Sequence, residues 1–268
     1  MTSFLTPPER GWSRYVAVGD SFSEGMNDPD PQRPGEFIGW TDRLATMLAE
    51  RSREAGGALE YANLAVRGRK LDDVVGRQLD AALALQPDLV SIVGGGNDIL
   101  RPRADIRALA TRLEEAVVRI RATGADVLMA TSTDPSAAPV IKSVTGRHAT
   151  YTACIWSIAR RHGCAVIDQW GFAPLQSWDV WSEDRLHMNS EGHRRVAIAA
   201  FTALGYGTDE LDWDQPLPET STLSPAERRR ADREWAVEYL KPWVGRRLAG
   251  RSSGDGRTAK RPDLAPPA

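Results

Sequence analysis

The sequence has few or none of several features that would assign it directly to a class of protein. It contains two cysteines in 268 residues, Cys154 and Cys164, and neither lies in a disulfide or metal-binding motif. No stretch approaches the roughly 20 apolar residues of a membrane span, and the polar N-terminus lacks the apolar core of a secretory signal. The formal net charge is −2, which favours neither nucleic acid nor an acidic membrane as a partner. We therefore predict a cytoplasmic protein with reduced cysteines.

Histidine is also scarce, and no pair of histidines has the spacing of a metal site. His193 lies in a predicted helix beside two arginines and is interpreted as a surface residue. His148 and His162 are isolated, and His162 falls near a helix C-terminus, where a positive charge is favourable. The run Gly94-Gly95-Gly96 matches neither phosphate-binding glycine pattern. The sequence thus predicts neither a metal nor a cofactor.

What the chain does have is a regular alternation of apolar runs and amphipathic stretches. Strands are predicted at 15–18, 59–66, 89–93, 127–131 and 165–168, and helices at 39–54, 71–85, 104–122, 150–162 and 190–204. This alternation is typical of a central parallel sheet with right-handed crossovers. We expect an α/β fold, a three-layer α/β/α sandwich.

The chain divides into four parts by composition. Residues 1–14 are an N-terminal extension, and 15–206 form the α/β domain. Residues 207–249 are a helical extension that starts with a capping box, Ser224-Pro225-Ala226-Glu227, and we expect its aromatic face to pack on the domain. Residues 250–268 have little to bury, so the sequence predicts a disordered, solvated tail rather than an anion-binding one.

Polar residues follow the predicted strands where a parallel sheet brings its loops together. Ser21 comes after the first strand, and Asp184 and His187 precede the last helix of the domain. Acyl transfer needs a nucleophile, a base and a group that orients the base. Ser21 can supply the hydroxyl, His187 can take its proton, and the Asp184 carboxylate can hold the other ring nitrogen.

The same chemistry requires donors for an oxyanion. The backbone N–H groups of Ser21 and Gly68 could supply two donors, since glycine lets a backbone approach a ligand closely. The carboxamide of Asn97 could supply a third. The neighbouring Asp98 could orient Asn97 or bond the loop backbone, and we favour a structural role for it.

Four short motifs carry a family resemblance. Gly19-Asp20-Ser21, Gly68, Gly95-Gly96-Asn97-Asp98 and Asp184-Arg185-Leu186-His187 resemble, in order and spacing, the four blocks of the SGNH/GDSL hydrolases. The resemblance covers roughly residues 15–204. Phe22 stands where the family motif has leucine, and it keeps that position apolar. The continuation Phe-Ser-Glu-Gly looks like that of bacterial members.

The resemblance implies a flavodoxin-like α/β/α fold and metal-independent hydrolysis of esters or thioesters. It implies Ser21 as nucleophile, His187 as base, Asp184 as its partner, and Ser21, Gly68 and Asn97 as oxyanion donors.

Three functions remain open from the sequence. The first is an esterase acting on a small-molecule carboxylic ester, thioester or O-acetyl group. The second is a module that binds an acylated sugar or lipid, and the third is an acyltransferase with the same acyl-enzyme. Three tryptophans, Trp170, Trp178 and Trp181, could wall the pocket or fill the core beneath an irregular loop. The sequence assigns no oligomeric state.

Overall fold

The computed structural model of the chain describes residues 5–136, 142–217, 224–242, 245 and 251–267. Parts of the predicted N-terminal extension, helical extension and tail therefore lie outside the described residues. Within the described residues, no helix has both the length and the apolar character needed to cross a bilayer.

A six-stranded sheet forms the middle layer, in the order β5-β4-β3-β1-β2-β6. Its strands are β1 Arg14–Val18, β2 Glu60–Asn63, β3 Leu89–Ile92, β4 Asp126–Ala130, β5 Ala165–Ile167 and β6 Arg261–Ala265. The first five pair in parallel, and β6 adds to the edge of β2 in the antiparallel direction. The expected α/β fold is confirmed, with a sixth strand that the sequence did not predict.

Helices cover both faces of the sheet. The main helical segments are α1 Ser21–Glu24, α2 Gly39–Glu54, α3 Leu71–Asp73, α4 Leu79–Ala84, α5 Gly96–Ile99, α6 Ile106–Arg121, α7 Thr145–His162, α8 Ser190–Ala203 and α9 Pro225–Trp235. Alternate residues of β1 face opposite layers, as a strand requires. Val16 and Val18 pack with α3, α4, α6 and α7, whereas Tyr15 and Ala17 pack with α2 and α8.

Asn189 caps α8, because its side chain accepts a hydrogen bond from the Gly192 N–H at 3.1 Å. The prediction that His193 lies at the surface was wrong. His193 is buried rather than exposed, since α8 packs that side of its surface against α2. Its Nδ1 accepts from the Trp40 N–H, and burial lowers the pKa of His193 to about 4.

The tail also differs from the prediction of disorder. Residues 251–267 lie against the domain, and β6 pairs with β2. The Lys260 ammonium group donates to the carbonyls of Phe37 and Ile38 and to Asp42, at 2.7–2.8 Å. Composition predicted disorder because the segment has few apolar residues to bury. The segment is held instead by strand pairing and by hydrogen bonds from cationic side chains.

Candidate active site

The turn that carries Ser21 is fixed immediately before the serine. Gly19 exchanges two hydrogen bonds with the buried Gln78 amide: its N–H donates to Oε1 at 2.9 Å, and its carbonyl accepts from Nε2 at 3.0 Å. Gln78 comes from a π-helical turn, Val74–Gln78, between α3 and α4. The Asp20 carboxylate then accepts from the Phe22 N–H at 3.2 Å and caps α1. Ser21 is therefore the first residue of a short helix at the end of β1.

The three residues predicted for nucleophilic catalysis meet in one chain of hydrogen bonds. His187 Nε2 lies 3.0 Å from Ser21 Oγ, although the two residues are 166 positions apart. His187 Nδ1 lies 2.7 Å from Asp184 Oδ2. An ionised carboxylate only accepts hydrogen bonds, so Nδ1 is the donor and Nε2 is free to accept the serine proton.

Asp184 accepts several hydrogen bonds besides the one from His187. Its Oδ1 accepts from the Ser182 hydroxyl and from the backbone N–H groups of Leu186 and His187, at 2.7–3.0 Å. Burial alone would raise the pKa of Asp184. The hydrogen bond and charge of His187, together with the two backbone donors, outweigh burial and leave that pKa well below its usual range. The carboxylate therefore stays ionised next to the imidazole.

The sequence analysis missed two residues, Asn27 beside Asp184 and Gln78 beside the turn that carries Ser21. Asn27 Nδ2 donates to Asp184 Oδ2 at 3.0 Å and to Ser182 Oγ at 2.8 Å, across 157 and 155 positions. Asn27 has a left-handed backbone (φ 71°), which asparagine tolerates better than most residues. Gln78 was predicted only as part of a helix. Neither residue lies in a recognisable motif, so no sequence signal identified them.

The predicted oxyanion donors lie beside the serine. Ser21, Gly68 and Asn97 line the same cleft, and Gly68 has a left-handed backbone (φ 71°) that favours glycine. Asn97 Nδ2 donates to Asp20 Oδ2 at 3.1 Å and to the Arg69 carbonyl at 3.0 Å. Both amide hydrogens are thus directed at neighbours, and an oxyanion would have to share or replace one of them. Burial raises the pKa of the Asp20 carboxyl to about 6.

Asp98 bonds the backbone of a neighbouring loop, which is one of the two roles considered from the sequence. Its Oδ2 accepts from the Leu71 N–H at 2.9 Å, at the start of α3. This bond ties the loop that contains Asn97 to the loop that contains Gly68.

Ser21 and His187 line two cavities. A cleft of about 920 Å³ has many polar and charged side chains in its lining, with polar and apolar surface in nearly equal shares. A smaller cavity of about 220 Å³ is lined mainly by apolar groups. The apolar lining comes chiefly from Phe22, Val93, Leu100, Tyr151, Ile155 and Trp181.

The tryptophans before His187 play different parts. Trp181 lines the smaller cavity and donates from Nε1 to the Leu175 carbonyl at 3.0 Å. Trp178 is 43% exposed, with the Arg185 guanidinium 5.7 Å from its ring centre. Trp181 therefore fits the pocket-wall interpretation, and Trp178 belongs to the surface. Trp170 is half-buried and lines neither of these two cavities.

In the described part of the chain, no group of three or more histidine, cysteine, aspartate or glutamate side chains is arranged to hold a metal ion. The chemistry available at the cleft is that of a hydroxyl, an imidazole, a carboxylate and amide donors.

Comparison with known families agrees with this geometry. The model of the GDSL-like lipase/acylhydrolase family matches residues 17–195. The chain belongs to this family, which places it among the hydrolases of carboxylic esters. Among curated proteins none matches this chain.

Solved structures show the same fold at low sequence identity. LAE5, an α/β hydrolase from the metagenome of Lake Arreo in Spain, is 23% identical with a TM-score of 0.61, over 76% of this chain and 98% of its own. Axe2, an acetylxylan esterase from Geobacillus stearothermophilus, is 18% identical with a TM-score of 0.61, over 73% and 95%. TesA is 22% identical with a TM-score of 0.58, over 72% and 98%. These proteins are covered almost completely, while about a quarter of the present chain lies outside each match.

Proposed function

We propose that the protein is a serine esterase that forms an acyl-enzyme on Ser21. The observation that carries the proposal is the unbroken chain of hydrogen bonds from Ser21 Oγ through His187 to Asp184. Ser21 Oγ attacks the ester carbonyl while His187 Nε2 takes its proton, and the imidazolium then protonates the departing alcohol. Water, deprotonated by His187, attacks the acyl-enzyme and releases the acid.

The oxyanion formed at each attack would be stabilised by the N–H groups of Ser21 and Gly68 and by the Asn97 carboxamide. These groups need no proton transfer or metal ion to act. The ionised Asp184 would stabilise the positive charge that His187 acquires in the same step.

The two cavities support a substrate with a small acyl group and a polar alcohol. The cavity of about 220 Å³ is mainly apolar and suits a short acyl chain. The cleft of about 920 Å³ presents amide, hydroxyl and charged groups of both signs, which suit an alcohol rich in hydroxyl groups. Axe2, named as an acetylxylan esterase, has the same fold and is an example of such a substrate class.

The test is a chain-length series of p-nitrophenyl esters together with acetylated sugars. We expect kcat/KM to be highest for acetate to butyrate and to fall for longer chains. Ser21→Ala should lower kcat by at least about 10³-fold, because the serine supplies the covalent step. A serine-directed phosphonate should label Ser21 and nothing in the alanine variant.

Ser157→Ala is the matched control, since Ser157 is exposed on α7 and its hydroxyl donates to the Ala153 carbonyl of the same helix. Full activity in Ser21→Ala would refute the assignment of Ser21 as the nucleophile. Rising activity with acyl length would refute the short-chain preference. Products that form only with an added alcohol or sugar acceptor would identify an acyltransferase instead.

A further inference from the structure

The peptide unit between Arg67 and Gly68 carries one of the proposed oxyanion donors. This unit is planar and trans, so its C=O and N–H point in opposite directions. Whatever fixes the Arg67 carbonyl oxygen and the Gly68 Cα therefore also fixes the direction of the Gly68 N–H. The left-handed backbone of Gly68 gives this position the freedom to rotate if nothing holds it.

Residues 251–260, which we name the C-terminal clasp, contact both ends of that peptide unit. The Gly254 backbone lies so close to the Arg67 carbonyl oxygen that a Cβ on Gly254 would overlap it. Ser252 Oγ occupies the space that a Cβ on Gly68 would take. Arg69 also donates to the Gly254 carbonyl at 3.3 Å.

Hydrogen bonds within the clasp and at its far end hold it in this position. Ser252 Oγ accepts from the Gly254 N–H at 3.1 Å, and Asp255 Oδ2 accepts from the Ser252 N–H at 2.8 Å. Its far end is anchored by the three hydrogen bonds of Lys260 and continues into β6. The turn over Gly68 is therefore connected to the sheet through Lys260 and β6.

The other face of the same loop is held from within the domain. The Arg67 N–H donates to Glu24 Oε2 at 2.6 Å, and the two side chains form a buried ion pair. Glu24 ends α1, the helix that Ser21 begins. The oxyanion peptide thus lies between the helix of the nucleophile and the clasp.

We propose that the C-terminal clasp is a positioning element of the active site, which keeps the Gly68 N–H aimed at the oxyanion. The inference rests on the proposed function. It concerns residues beyond 195, where the family match ends. The clasp acts through Gly68 rather than on the reacting atoms, so its effect should appear in the transition state.

The test is Gly254→Ala, whose added methyl group must displace the Arg67 carbonyl or lift the clasp. We expect kcat to fall about 10- to 100-fold, less than the 10²–10³-fold typical of removing an oxyanion donor outright. KM for a small ester such as p-nitrophenyl acetate should change by less than about twofold, because the oxyanion contact strengthens only as charge develops in the transition state. Inhibition by a trifluoromethyl ketone, which forms a tetrahedral oxyanion on serine, should weaken in parallel with kcat/KM.

Gly207→Ala is the matched control, since a Cβ there meets no atom within 4 Å. All rates are to be divided by the concentration of sites titrated with phosphonate, so that partial unfolding does not imitate the effect. If Gly254→Ala does not fold, Ser252→Ala decides the question, with an expected two- to tenfold fall in kcat from the lost packing on Gly68.

A folded Gly254→Ala with wild-type kcat and unchanged ketone affinity would overturn the inference. So would a loss confined to thermal stability. Failure of the proposed function is distinguishable, because in that case the wild type itself would show no turnover dependent on Ser21.

Discussion

The sheet edge and the C-terminal part of the chain meet at one cleft but contribute differently. At the edge, Ser21, Asn97 and His187 follow strands or precede a helix of the domain, and their side-chain atoms would touch a substrate. The C-terminal part contacts the loops that carry these atoms, and some of its side chains, such as Tyr239 and Ser252, also line the cleft. Trp235 Nε1 on α9 donates to the Asp184 carbonyl at 3.0 Å, and Arg185 pairs with Asp232 at 2.6 Å.

In this comparison the sheet edge supplies the reacting groups, and the C-terminal part positions the loops that carry them. The edge lies within the family match, residues 17–195, and its hydrogen bonds join the groups that would move protons. The later residues bind backbone carbonyls of the domain through cationic and indole donors, and Asp232 accepts from the Arg185 side chain. Changes at the edge should therefore lower kcat and leave stability nearly unchanged. Changes in the later residues should affect stability, or act on kcat only through the loops.

The largest effect in this comparison is expected for Asp184→Asn. An asparagine amide can donate an N–H to His187 Nδ1. The ring proton would then be on Nε2, which could no longer accept the proton of Ser21. We predict a fall in kcat of about 10⁴-fold, with a folded protein by circular dichroism. Asp209→Asn, at an exposed position outside the cleft, is the control. A fall of less than about tenfold would mean that Asp184 does not orient the base.

Asn97→Ala tests the oxyanion side of the edge. Loss of its amide should cost about 2.7–4 kcal/mol of transition-state stabilisation, which is a 10²–10³-fold fall in kcat. KM should change little, because the interaction strengthens as charge develops on the substrate oxygen. Equal loss of binding in ground and transition states, seen as a raised KM with unchanged kcat, would contradict the assignment.

The smallest effect on chemistry, and the clearest on stability, is expected for Lys260→Met. Burial raises the pKa of Asp42 to about 6, although the charge of Lys260 opposes this. The folded carboxyl thus has a higher pKa than the unfolded one, about 3.9. Its contribution to stability is complete below about pH 4 and is lost as the pH rises through about 6.

Without Lys260 the ionised Asp42 has lost its cation, so the variant should be destabilised more at pH 8 than at pH 5. We expect about 2 kcal/mol at pH 8, because the pair is only partly buried. Urea unfolding at the two pH values measures the difference. Asp42→Asn in the Lys260→Met background should remove the pH dependence, and an equal loss at both pH values would show that the carboxylate is not involved.

The sequence predicted correctly the features that depend on residues close together in the chain. The apolar run of β1 ending in Gly-Asp-Ser indicated a strand end, and parallel strands bring their loops to one edge. It missed Asn27 and Gln78, because their partners lie 59 to 157 positions away and no motif marks them. It placed His193 on the surface because two arginines follow it, whereas α8 buries that face.

Apolar periodicity and turn residues are local properties, and they were enough to predict the first five strands, the long helices between them and the residue types needed for acyl transfer. The donors that support Asp184 and Gly19 could be identified only in the folded chain. Only the tertiary structure added a sixth strand and laid residues 251–260 over the Gly68 peptide. Those outcomes depend on side chains and backbone far apart in the chain, and their contacts exist only after the sheet has formed.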